Sequence, residues 1–259
     1  MKRTIITTLL VLFCVSSVMA WDGRGHSAIA YIAEKHLTKR AKANIEGYLN
    51  GRSIVYYAAW MDFNRTDPPF DITRDWHVDY WTDAHRTDAN GNPMPPCSVS
   101  QIKRIVSEMS DLSKLSDSLI NLNIRFLTHL VGDMHCPVHI DFPTSRPMRV
   151  DAINRKNVKV HAMWDGMVID VKHNNTSPKL LADNLDIFSA EQIAAIQQGT
   201  PDDWHIENTA FSKQVIEMIP QSKKLTYDNY FNKAIKIAED RITVAGYRLA
   251  AILNSIFDK

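Results

Sequence analysis

The sequence predicts an all-α, single-domain protein with long loops. Three observations carry this. Apolar residues recur at i, i+3 and i+4 through most of the chain after residue 20. Alternating apolar and polar runs, the signature of half-buried strands, are few. The intervals between helical segments are rich in Asp, Asn, Gly and Pro. A chain of 259 residues with 45% apolar and 23% charged residues is long enough for one sizeable core and has an ordinary globular composition.

Residues 1–20 read as a secretory signal peptide. Lys2 and Arg3 make a positive start, an apolar run follows from Ile5 to Phe13, and Val18-Met19-Ala20 supplies a cleavage site before Trp21. The mature domain is then 21–259. Beyond the signal nothing is apolar for long enough to span a bilayer, so no membrane insertion is expected after cleavage. Removing the signal takes away two of the 30 Lys+Arg and no acid, leaving 28 against 29 Asp+Glu and a formal charge of −1. A chain that grips polyanions by a general basic excess is excluded by that balance. Any positive charge offered to a phosphate has to be local, and bound divalent metals are one way to supply it.

Along the mature chain, residues 21–37 form an amphipathic helix with His26 near its start. Residues 39–48 form a second helix, ended by Asn50-Gly51. Residues 54–63 are apolar and aromatic and carry Asp62. Residues 66–70, reading TDPPF, are a loop, and Trp76 to Trp81 reads as a short strand or an extended segment. Residues 82–96 are a long loop. Residues 98–115 and 119–135 are helices, and 142–158, with Pro143 and Pro147, is irregular. Residues 160–171 are helical, and helices over 179–185, 190–198, 206–219 and 227–257 complete the chain.

The residues that carry chemistry concentrate in THLVGDMHCPVH, residues 128–139, where His129, Asp133, His135 and His139 fall together. On a helix, His129 and Asp133 share a face at i and i+4. Imidazole and carboxylate are ligands for zinc and similar metals. Pro137 ends or kinks that helix, so His139 projects from a different frame. His161 and Asp165 repeat the i,i+4 pairing. His26, Asp62 and His77 complete the set, and a free amine at Trp21 adds a further donor, because it deprotonates readily beside a cation. These groups are too many for one tetrahedral zinc and suit two or three ions, with Asp133 able to bridge. Cys97 and Cys136 remain in the mature chain. They can pair as a disulfide in an oxidising compartment, or Cys136 can serve as a metal ligand. The scarcity of Cys and the hard ligand set disfavour haem and iron–sulfur centres.

The order of these motifs resembles the zinc-dependent single-strand nucleases of moulds, plants and bacteria, distant relatives of a zinc phospholipase C. The resemblance runs from Trp21 with Gly25-His26, through Ala59-Trp60-Met61-Asp62, Trp76-His77, His129-x3-Asp133-x-His135-x-Pro137-x-His139 and His161-x2-Trp164-Asp165. It continues to Trp204-x2-Glu207 and Ala245-Gly246-x-Arg248-Leu249-Ala250. It implies a multi-helix phospholipase C/nuclease-like fold and three zinc ions. One ion is expected on Asp62, His77, His129 and Asp133, its close partner on Trp21, His26 and Asp133, and the third on His139, His161 and Asp165. The family pattern, not spacing, chooses His139 over His135. Asp62 is expected to orient or deprotonate the attacking water and Arg65 to contact phosphate. The expected activity is endonucleolytic hydrolysis of single-stranded DNA and RNA to 5′-phosphorylated products by a secreted or periplasmic monomer.

Two departures from the family bear on base recognition. Val78 stands where an aromatic often follows the His77 position, and Pro147-Met148-Arg149-Val150-Asp151 replaces a Gly-Gly-Asn run. Trp76, Tyr80, Trp81 and Trp164 are candidates for base stacking, each also readable as a core aromatic. A phospholipase C-like or other phosphoester hydrolase, and a secreted zinc-binding protein without activity, are the competing readings.

Overall fold

The computed structural model describes residues 21–79 and 95–259. The signal segment, Tyr80, Trp81 and most of the loop expected over 82–96 lie outside the described residues.

Helix α1 (Gly23–Lys35) starts at Asp22, whose carboxylate accepts the amides of Arg24 and Gly25, and α2 (Lys39–Tyr48) starts at Thr38, capped in the same way. Asn50 and Gly51 both take positive φ and stop α2, as its breaker pair predicts. The apolar stretch after it breaks into a 3₁₀ turn (Ile54–Tyr57) and the short helix α3 (Trp60–Asn64), which turns Asp62 inward.

Trp76 and His77 depart from the expected strand or extended segment. They end a 3₁₀ helix (Phe70–His77), and the backbone becomes extended only at Val78. Packing explains this: Thr73, Trp76 and His77 share the buried face of that helix, and Trp76 stands edge-to-face on Phe126. Next come α4 (Ser98–Glu108) and α5 (Asp117–Met134), the latter capped by Ser116 and buried through nearly all of its second half. Pro137 starts a 3₁₀ turn (Pro137–His139) that carries His139 off the axis of α5.

The region expected to be irregular after residue 142 is ordered. A short helix α6 (Phe142–Ser145) leads into an antiparallel hairpin of β1 (Arg149–Ala152) and β2 (Arg155–Lys159). Only Val150 and Ala152 face inward, too few for a legible alternation, and the register shifts between them. The chain then climbs through α7 (Val160–Ala162), a π-helical turn (Met163–Met167) and α8 (Val168–His173).

Helices α9 (Pro178–Leu185), α10 (Ala190–Ile196) and α11 (Pro201–Glu217) each begin at a Ser or Thr cap. Strand β3 (Lys224–Leu225) adds parallel to β1, giving the sheet order β2-β1-β3. The last helix, α12 (Asn232–Phe257), is buried along most of its 26 residues and packs on α1, α2, α5 and α8. Its Gly246 permits the crossing with α1: a β-carbon there would lie 2.6 Å from Ile32 Cβ. The fold is thus helical around α1, α5 and α12, with one small sheet at its edge. Cys97 and Cys136 are buried free thiols and form no disulfide with each other.

Candidate metal centre

The carboxylate of Asp133, fully buried near the end of α5, stands at the centre of the cluster. Its two oxygens face different histidines. Oδ2 lies 3.0 Å from His77 Nδ1 and 3.2 Å from His129 Nε2. Oδ1 lies 3.4 Å from His26 Nε2 and 3.6 Å from His139 Nδ1. Asp62 Oδ1 approaches both His77 Nδ1 and His129 Nε2 at 3.7 Å.

Each imidazole is aimed by a backbone contact or a close neighbour. His129 donates through Nδ1 to Ala58 O at 2.8 Å, which turns Nε2 toward Asp133 and Asp62. His139 donates through Nδ1 to His77 O at 2.8 Å, leaving Nε2 at 3.3 Å from Asp165 Oδ1. His26 stacks on His129 at 3.9 Å between ring centroids. Gly132 makes room for it, since a β-carbon there would sit 2.9 Å from His26 Nδ1. Trp21, fully buried, donates its indole N–H to Gly132 O at 2.9 Å, so the start of the domain is pinned to the same turn of α5. Asp22 N donates to Asp165 O and ties that start to the π-helical turn as well. His161, on α7, brings its Nδ1 to 3.1 Å from Asp165 Oδ2 in that turn, and the His161 ring stacks on His139 at 4.8 Å.

Three clusters can each hold a cation with donor atoms within 4.8 Å of one another: His26, His129 and Asp133; Asp62, His77 and His129; and Cys136, His139 and Asp165. The chemistry fits a metal. His26 Nδ1 and Nε2, both oxygens of Asp62, His77 Nε2 and Asp133 Oδ1 are buried without a hydrogen-bond partner. Orphaned polar atoms at that density are costly unless a cation satisfies them. Two ring nitrogens, His129 Nε2 and His77 Nδ1, also face each other at 3.1 Å.

The electrostatics agree. Burial opposes charge on Asp133, yet His129, His26 and His77 hold its carboxyl well below the usual range. Burial likewise opposes a charged His129, but Asp133 and Asp62 outweigh it and push the imidazole up to about 9. His26 and His77 are driven down, mainly by burial, toward the neutral form that ligates metal. Burial, aided by Asp165, raises Cys136 well above its ordinary value, so its thiol stays protonated unless a metal displaces the proton.

The nine residues expected to ligate metal therefore lie in one connected region, with Arg65 Nη1 at 3.6 Å from Asp62 Oδ1. His135 lies outside that region. Its Nδ1 donates to Val131 O at 2.7 Å, and its Nε2 accepts from Arg248 Nη1 at 3.0 Å. Arg248 also bonds Glu207 and Ile196 O and lies over the ring of Trp204. The Trp204, Glu207 and Arg248 motifs thus make a structural hub behind α5. Trp76 and Trp164 are core aromatics, and Trp164 donates to the Tyr230 hydroxyl at 2.8 Å. Sequence reasoning missed the carbonyl of Ala58, which carries no residue-type signal. It also missed Gly132, whose only signal was a glycine inside a helix.

This geometry has counterparts among known proteins. The S1/P1 nuclease family model matches residues 21–258. The chain belongs to the S1/P1 nuclease family. It is 24% identical to Endonuclease 4 of Arabidopsis thaliana, over 98% of this chain and 94% of that one. It is 20% identical to Nuclease S1 of Aspergillus oryzae, over 99% and 98%. With Nuclease P1 of Penicillium citrinum it shares 24%, over 91% and 97%. As a member of the S1/P1 family it is a hydrolase acting on the phosphodiester bonds of nucleic acids, and the family is metal-dependent. Among the described residues no helix is long and apolar enough to cross a membrane.

Proposed function

We propose that this chain is a secreted or periplasmic endonuclease that cuts single-stranded DNA and RNA at a three-zinc centre and leaves 5′-phosphates. The observation that carries the reading is the division of Asp133 between two histidine sets, His77 with His129 on one oxygen and His26 on the other, among unpartnered buried donors. A carboxylate placed this way suits a bridge between two ions. In this reading Asp62, His77, His129 and Asp133 hold the first zinc. Trp21, with its amine freed by removal of residues 1–20, holds the second with His26 and Asp133. His139, His161 and Asp165 hold the third. The Asp22–Asp165 contact supports this by placing the Trp21 segment against the third set. The processed domain, 21–259, acts as a monomer.

When bound, such ions supply a nucleophile near neutral pH and neutralise phosphate charge. The chain's own groups do the rest. Asp62 lies deep among the ligands with both oxygens unpaired by hydrogen bonds, placed to orient a water or take its proton. Arg65, one helical turn on, is placed to meet a phosphate oxygen. A recessed centre favours a strand whose phosphates can be splayed into it over a stacked duplex.

The test is digestion by the processed, zinc-loaded protein of matched single- and double-stranded DNA and of RNA, with end-group analysis. The expected result is faster cleavage of the single strands and products with 5′-phosphates. Equal rates on duplex, 3′-phosphate ends, or hydrolysis of choline phospholipid with single strands left intact would overturn it.

A further inference from the structure

We propose that the exposed basic surface of the small sheet, with its hairpin end and the turn before β3, is a distal nucleic-acid-binding surface, which grips backbone phosphates of the strand away from the scissile bond. This rests on the reading of the metal centre as a phosphodiester site. The hairpin occupies the interval between His139 and His161, two of the proposed third-zinc ligands. Lys159 ends β2 two residues before His161, and the five residues of β2 extend from there about 16 Å along the surface.

The register determines what that face displays. Arg149 pairs with Lys159 and Asp151 with Lys224, and Val150, Ala152 and Leu225 point into the core; Arg155 pairs with Ala152 and stands exposed at the hairpin end, beyond the register shift. Arg149, Arg155, Lys156, Lys159, Lys223 and Lys224 are all exposed, and Asp151 is the one acid on the three strands. Among the described residues none of these six cations has a carboxylate within ion-pair distance. In a chain whose basic and acidic totals nearly cancel, 30 against 29, five such cations on one small sheet, with Lys223 beside it, are a strong local excess. A helix face with alternating charges would pair its cations with neighbouring acids; this sheet does not.

The surface is also shaped. Arg149, Val150, Asp151, Asn157, Ser222 and Lys223 line a cleft of about 210 Å³. Its walls are fixed by Arg149 Nη1 donating to Asn157 O at 2.9 Å and by Asn157 N donating to Asp151 Oδ1 at 3.0 Å. Lys223, at φ 53°, turns the chain into β3 and is one of the residues that line the cleft. Guanidinium and ammonium groups over a fixed backbone cleft suit phosphate oxygens in a row, and bind them without regard to base. A single strand held here is handed toward His161.

The experiment compares the zinc-loaded protein with the quadruple variant Arg155→Gln/Lys156→Gln/Lys223→Gln/Lys224→Gln on a thymidine dinucleotide and on a 20-nucleotide oligothymidylate. The expected result is a KM for the long strand raised roughly tenfold or more, with kcat and dinucleotide hydrolysis unchanged. The salt dependence of log KM should flatten by about 0.7 for each phosphate that the variant no longer neutralises. An unchanged KM and salt slope for the long strand, or an equal loss on dinucleotide and long strand, overturns the proposal. Binding of the long strand by fluorescence anisotropy separates it from the nuclease reading. A wild type that hydrolyses neither substrate, while the variant binds the strand more weakly than it does, defeats that reading and supports the surface. Unweakened strand binding by the variant, with weakened binding to phosphatidylserine vesicles, assigns the face to anionic lipid and overturns the proposal.

Discussion

Asp133 carries more of this site than any other residue. Its two oxygens address separate imidazole sets from a position fully inside the protein, and its charge is held by those imidazoles. In the proposed centre it bridges, so Asp133→Ala is expected to remove two ions together and leave one. Metal analysis by native mass spectrometry checks this, and retention of three ions contradicts the bridge. Glu207 makes a second prediction at this scale. Burial works to raise its carboxyl, but Arg248 and Arg241 hold it below its ordinary value of 4.5. A depressed carboxyl contributes stability that is present above the unfolded value and is lost as pH falls through the folded one. Stability measured by urea denaturation should therefore fall below about pH 4.5, and Glu207→Gln should flatten that part of the curve. The same slope in the variant contradicts it. At residue level the spacing of His129 with Asp133 and of His161 with Asp165 was legible, because i,i+4 pairs follow from helix geometry alone. The exclusion of His135 was not legible from spacing. It comes from Arg248, more than a hundred residues away, which occupies the nitrogen that a metal would need.

At the scale of elements, α5 is a shared wall. One face gives His129 and Asp133 to the cluster, its end turns His135 back to the hub, and Pro137 carries His139 around to Asp165. Helices with a clear apolar period and polar breakers were legible: α2 falls on its expected bounds because Thr38 caps it and Asn50-Gly51 ends it. The hairpin was not, since its inward side chains number only two on β1 and its charge looks like a solvated loop. The 3₁₀ course of Phe70–His77 was hidden for another reason: tertiary burial of Trp76 and His77 overrides an aromatic-rich run that suits a strand. The crossing of α1 against α12 leaves the least room. Gly246→Ala places a methyl 2.6 Å from Ile32 Cβ and 3.1 Å from the Ile29 carbonyl, with backbone on one side unable to yield. It is expected to destabilise by about 1–3 kcal/mol, read from urea midpoints. A shift within about 0.5 kcal/mol shows that the crossing adjusts freely.

Across the whole molecule, the proposed ligands come from the start of the domain and α1, from α3, from the 3₁₀ helix before Val78, from α5 and its following turn, from α7 and from the π-helical turn. Ions bound there tie together segments from Trp21 to Asp165, and they supply positive charge that the chain as a whole lacks. The cationic sheet then adds a second, metal-independent source beside the third set. Both follow from one fact of composition, the near-balance of 30 basic and 29 acidic residues, which forces phosphate affinity to be local. The central claim is that three ions assemble only when the chain begins at Trp21. The measurement is zinc per chain on protein processed to that residue and on protein carrying one extra residue before it, after removal of loosely bound metal. The account predicts three ions in the first and a loss of the Trp21-dependent ion, with impaired single-strand cleavage, in the second. Three ions and full activity in both would contradict it.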